Sequence, residues 1–223
     1  MKHIKNIRII AVIYYLLLYV LWACLECAIV PKLELKALPV SIDIIKEIGC
    51  KTLFWIIPSL FLILRHSDSM YLQKKEFLGD AKKAVTYIPI YIFILLFTAW
   101  FLIPNYYKNG LILLNSSFHA EEALIALFAG ITEELFFRGL LLNTALKGHK
   151  TWIVFLGNAV MFLLIHFPIW LREGVFMTYM TSFVFLQVIV LSLIFSWTFV
   201  KSRCIIVPII LHAYWDLLCF AIA

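Results

Sequence analysis

The sequence predicts an all-α protein that crosses a membrane several times, and three observations carry that expectation. Of 223 residues, 64% are hydrophobic and only 14% charged. Mean hydropathy is +0.99. The apolar residues also gather into long runs separated by short basic stretches. A soluble domain is closer to half apolar and a quarter charged, and a fold of this size has no interior large enough to hide the excess, whereas a bilayer accommodates it.

A spanning helix needs about 20 mostly apolar residues. Seven runs meet or approach that length: 9–30, 49–64, 85–103, 119–146, 152–168, 175–199 and 205–222. The first follows the basic stretch Met1–Arg8, is too long for the apolar core of a signal peptide and has no small-residue cleavage site after it, so it reads as an uncleaved span. The second is short and contains Pro58. The third lies between the basic stretch Arg65–Lys83 and a polar loop near Asn105–Ser117. The fourth is long and opens on the acidic stretch His119–Glu122, which reads as interfacial. Turns at Lys147–Lys150, Pro168–Gly174 and Lys201–Arg203 bound the last three.

With the N-terminus in the cytoplasm and seven spans, twelve Lys and Arg residues fall inside. Six fall outside: Lys32, Lys36, Lys46, Lys51, Lys108 and Arg172. That bias favours a cytoplasmic N-terminus. The net charge of +6 is modest and forms no basic arm with interleaved aromatics, so no nucleic-acid partner is expected. Cys24 and Cys27 have C-x-x-C spacing inside an apolar run and read as small buried residues.

Ionisable residues inside a bilayer are costly and tend to mark function. Those singled out all follow residue 130. Glu134 and Arg138 are four apart and share a helix face, with the acid on the favourable N-terminal side. Glu133 points about 100° away from Glu134, which leaves it unpaired and available as a general base or acid. His166 follows Phe162 by four. Counted through the hairpin turn at Lys147–Lys150, Glu133 and His166 reach the same depth within about 2 Å. His212 and Asp216 are again four apart, and straight helices put them several ångströms shallower than Glu133. Glu26, Glu121 and Glu122 read as interfacial, Asn158 and Gln187 as helix-packing hydrogen bonders, and His149 as a loop residue. A proton relay would use the same residue types, but these cluster at one site rather than across the bilayer.

Taken in order on successive apolar helices, Glu133-Glu134-x-x-x-Arg138, Phe162-x-x-x-His166 and His212-x-x-x-Asp216 resemble the CPBP family. Its members include CAAX prenyl proteases of the Ras-converting-enzyme type and bacterial Abi-type membrane proteins. The resemblance covers residues 117–222. It divides the chain into 1–116, N-terminal transmembrane helices of unassigned role, and 117–223, a catalytic helical core.

The resemblance implies an intramembrane endopeptidase acting on a membrane-associated peptide or protein tail, and the small size and Lys/Ile-rich sequence point to a bacterial plasma membrane. It implies that Glu133 and His166 activate a water and that His212 and Asp216 stabilise the oxyanion. Glu134, Arg138 and Phe162 would support them. The family often has asparagine where Asp216 stands; an aspartate must be protonated, orient His212 or bind a metal. Glu133, His166, His212 and Asp216 are also zinc-ligand types, so zinc stays open as a cofactor, although H-E-x-x-H is absent. The alternative from another class is a bacteriocin self-immunity protein that acts by binding.

Overall fold

A computed structural model describes residues 2–34, 39–77 and 81–222. Lys36, counted above among the outward charges, lies outside them, as do residues 78–80 of the predicted basic connection. Among the described residues the secondary structure is helical, with one isolated antiparallel bridge between Leu114 and Ile222.

Five helices are long and apolar enough to cross a membrane: α1 (Asn6–Glu34), α2 (Ile42–Ser69), α3 (Pro89–Asn109), α5 (Thr151–Arg172) and α6 (Val184–Ser202). The other two predicted runs also fall on helices. α4 starts as Ala120–Glu134 and continues without a break through Leu135–Leu142 and Asn143–Leu146. Its carboxylates and Arg138 exceed what an apolar span tolerates. α7 (Ile206–Ala221) is apolar but has only 16 residues. α2 starts earlier than the predicted 49 and absorbs Pro58 at the point where π turns give way to α-helical hydrogen bonding. The predicted sixth run divides into Phe176–Thr181 and α6, with extended backbone at Ser182 between them.

Periodicity sets which face of each helix turns inward. In α1 the buried residues are Ile7, Ala11, Tyr15, Leu18 and Trp22, one stripe at helical spacing, while the faces between them stay exposed. That stripe packs on Phe136 and Phe137 of α4, and Trp55 of α2 closes the same cluster. Cys24 and Cys27 lie on exposed faces, against the expectation of burial. Tyr15 also donates from its hydroxyl to the Met161 carbonyl, tying α1 to α5 at 3.0 Å.

α4 and α7 form the central contact. A Cβ on Gly130 would come within 2.9 Å of the Ala213 backbone nitrogen and 3.0 Å of the Ile209 carbonyl. Only glycine lets the two backbones approach this closely. Glu133 and Glu134 follow Gly130 by about one turn, and His212 neighbours Ala213, so the same contact brings the predicted site residues together.

α-Helical hydrogen bonding gives way to π turns at Leu25–Ile29 in α1, Ile45–Cys50 and Thr52–Ile56 in α2, and Leu135–Leu142 in α4. A π turn is wider and rises less per residue than an α turn. The depth mismatch expected between Glu133 and His212 rested on straight α-helices; the π turn between Glu133 and the hairpin shortens α4 and narrows it.

Candidate active site

Glu134 and Arg138 have no exposed surface. As the spacing predicted, Arg138 Nη1 donates to Glu134 Oε1 at 2.7 Å. The second guanidinium nitrogen reaches across to α6, donating to the Ser192 carbonyl at 3.0 Å and its hydroxyl at 2.8 Å. The guanidinium lies over the Phe162 ring at 4.6 Å and the Phe195 ring at 5.3 Å. A buried cation is tolerated when it is paired, hydrogen-bonded and stacked in this way.

Glu134 Oε1 also meets His212 Nδ1 at 2.7 Å. A carboxylate can only accept, so Nδ1 carries the proton and Nε2 is turned the other way. Phe195 stacks on the imidazole at 4.9 Å, which fixes the ring plane. Nε2 then stands 3.5 Å from Asp216 Oδ2 and 3.9 Å from Glu133 Oε2. Nε2 is thus flanked by two carboxylates without a close hydrogen bond to either.

Glu133 differs from its sequence-based expectation. It was expected to be unpaired, but Lys51 Nζ of α2 donates to its Oε1 at 2.9 Å. The other oxygen, Oε2, is buried and has no hydrogen-bond partner. One oxygen is held and the other is open.

His166 is placed by a break in α5. The α-helical stretch ends at Leu164, and a new one, Phe167–Arg172, begins with Pro168 in its first turn. Proline cannot donate to the preceding turn, so the helix does not continue smoothly. The His166 amide shifts to the Leu163 carbonyl at 3.1 Å. The Phe162 carbonyl, which that amide would otherwise occupy, instead accepts from His166 Nδ1 at 2.7 Å. The Phe162-x-x-x-His166 pair is thus a backbone device, and the Phe162 ring also lies 5.0 Å from His166 and 5.7 Å from His212.

Glu133, His166 and Asp216 all face one cavity of about 580 Å³. This is the size of a small-molecule or short-peptide site. Its opposite wall is Trp22, Lys46, Lys51 and Trp55, from helices α1 and α2 that the sequence left without a role.

Those helices hold charges that the sequence reading missed. Lys51 and Lys46 are each 3% exposed and Glu26 is not exposed at all. The two lysines had been counted among the outward charges and Glu26 placed at the interface; all three are buried in ion pairs. Lys51 bonds Glu47 at 2.5 Å, and Lys46 lies 3.5 Å from Glu47 and 3.2 Å from Glu26. Arg172 pairs with Glu26 at 2.8 Å. The available signal was the set Asp43, Lys46, Glu47 and Lys51, oppositely charged residues three and four apart as on one helix face, a spacing that a loop does not need. Asn158 behaves as expected, donating to the Phe137 carbonyl in the π turn at 3.0 Å.

The predicted zinc ligands do not fit a zinc ion as they are placed. Among the described residues no group of three or more His, Cys, Asp or Glu is arranged to hold a metal. The Lys51 ammonium also occupies Glu133, where a dication would have to displace it.

The model of one protein family, "Type II CAAX prenyl endopeptidase Rce1-like", matches residues 115–218, from just before α4 to near the end of α7. No curated protein and no solved structure matches the chain.

Proposed function

Since the chain belongs, through residues 115–218, to the CPBP family of intramembrane endopeptidases, we propose that it hydrolyses a peptide bond in a membrane-associated peptide or protein tail, with Glu133 as the base. The observation that carries this reading is the open Glu133 Oε2. It is buried, has no hydrogen-bond partner and stands 3.9 Å from His212 Nε2, and Glu133 shares a cavity with His166 and Asp216.

In this reading His166 orients a water in the cavity, Glu133 Oε2 takes one of its protons, and the water oxygen bonds to the scissile carbonyl carbon as its C=O π bond opens to the oxyanion. The oxyanion that forms accepts from Nε2–H of His212. Asp216 holds that proton in place, so it orients His212 rather than donating itself. As the C–N bond breaks, Glu133 returns its proton to the leaving amine. Glu134 and Arg138 act through His212: they fix its tautomer and ring plane. Residues 117–223 act as the catalytic core, in a bacterial plasma membrane.

The test is purified chain in liposomes with two quenched fluorescent peptides, one ending in a prenylated CAAX sequence and one unprenylated. We expect Glu133→Gln to lower cleavage by roughly 10²–10⁴-fold while the protein stays folded. Full activity in that variant overturns the assignment. In a cell that the protein shields from a bacteriocin, protection surviving both Glu133→Gln and His166→Ala would favour action by binding.

A further inference from the structure

Lys51 lies outside the region matched to the family, yet it touches the proposed base. We propose that Lys51 is a positioning residue for the reaction, supplied by α2, which holds Oε1 of Glu133 and leaves Oε2 unbonded and directed toward His212; this rests on reading Glu133 as the base.

The geometry that supports it has three parts. The Lys51 ammonium is 2.9 Å from Glu133 Oε1 and 2.5 Å from Glu47 Oε2, so two of its three donors are committed to carboxylates. The Trp22 and Trp55 rings flank it with centroids 5.3 and 5.4 Å from Nζ, which stabilises the cation away from water and bars other rotamers. A carboxylate with one oxygen clamped has one orientation; its second oxygen is preorganised and needs no rearrangement when the reaction begins.

The clamp also has an anchor. From Lys51 the ion pairs run through Glu47, Lys46 and Glu26 to Arg172. Arg172 ends α5, the helix that carries His166. One continuous set of charges thus starts at Glu133 in α4, passes behind the cavity through α2 and α1, and ends on the helix of His166. The N-terminal helices hold both halves of the proposed water-activating pair from outside the family-matched region.

The experiment uses full-length protein in liposomes. Lys51→Ala leaves Glu133 buried without its cation, so Lys51→Ala/Glu47→Gln is made beside it; that double variant removes one charge of each sign. Two readouts are taken. The first, which needs no substrate, is labelling by dicyclohexylcarbodiimide, which attacks an unpaired carboxyl in apolar surroundings but not an ion-paired carboxylate. Glu133 should be labelled in both variants and not in the wild type, and ethylammonium, which fits the space vacated beside the cavity, should suppress it while ethanol should not. The second is cleavage of the fluorescent peptide: kcat should fall about a hundredfold with KM unchanged, and ethylammonium should restore about tenfold of the loss.

Equal labelling of wild type and variants, or a raised KM with kcat kept, overturns the role of Lys51 and leaves Glu133 as the base. A loss that ethylammonium does not relieve also overturns it, since it marks a packing role alone. If instead Glu133→Gln still cleaves, the reading of the base fails first, and this inference fails with it.

Discussion

The two halves of this molecule handle buried charge in different ways. In the family-matched half Glu134 pairs with Arg138 one helix turn on and with His212, so these three complete their ion pairs within their own half. In the N-terminal half Lys51 pairs with Glu47 and Lys46 with Asp43 at helical spacing, but the network closes only on the other half, as Glu26 does with Arg172 and Lys51 with Glu133. Pairs at helical spacing leave a pattern in the sequence, and pairs between the halves leave none. The site triad of the first half could be anticipated from its motifs, while the links from the second half to it appear only when folded.

Three substitutions sharpen or break this contrast. The largest expected effect is Arg138→Met. It strands Glu134 with no exposure and removes the ties to Ser192, so stability should drop by about 3–5 kcal/mol, read by unfolding in mixed detergent micelles. Cleavage should disappear as well, because His212 loses its orienting carboxylate geometry. Glu26→Gln comes next. Arg172 keeps Glu34 and Glu173, and Lys46 keeps Asp43 and Glu47, so a loss of about 1–3 kcal/mol is expected. A loss equal to that of Arg138→Met would mean the N-terminal network is as tightly interdependent as the core one. Smallest is Tyr15→Phe, which deletes one hydrogen bond between α1 and α5 and should cost about 1 kcal/mol in the same assay, with cleavage unchanged.

The same contrast explains what was legible beforehand. All seven predicted runs fall on helices, because hydropathy over about 20 residues is a strong signal. The Glu134–Arg138 and His212–Asp216 pairings were legible because i,i+4 spacing survives into the structure. Lys46 and Lys51 were misread because hydropathy treats a lysine as a loop marker wherever it stands. It cannot register that two tryptophans and two glutamates, one of them 82 residues away in the chain, wait for the ammonium. Glu133 looked unpaired for the same reason. The π turns were invisible too, since no residue type announces them. Among the described residues each of the four lies beside or within a group of buried charges, where a widened turn redirects side chains that an α-helix would point elsewhere.

The interruption of α5 at His166 has a further consequence for how the reactant arrives. Inside a hydrocarbon layer an unbonded carbonyl is expensive, so irregular backbone survives there only against protein or against solvent. The break borders the cavity. Pro168 offers no N–H to the turn before it, so hydration is favoured beside the break, where the proposed reaction would take its water.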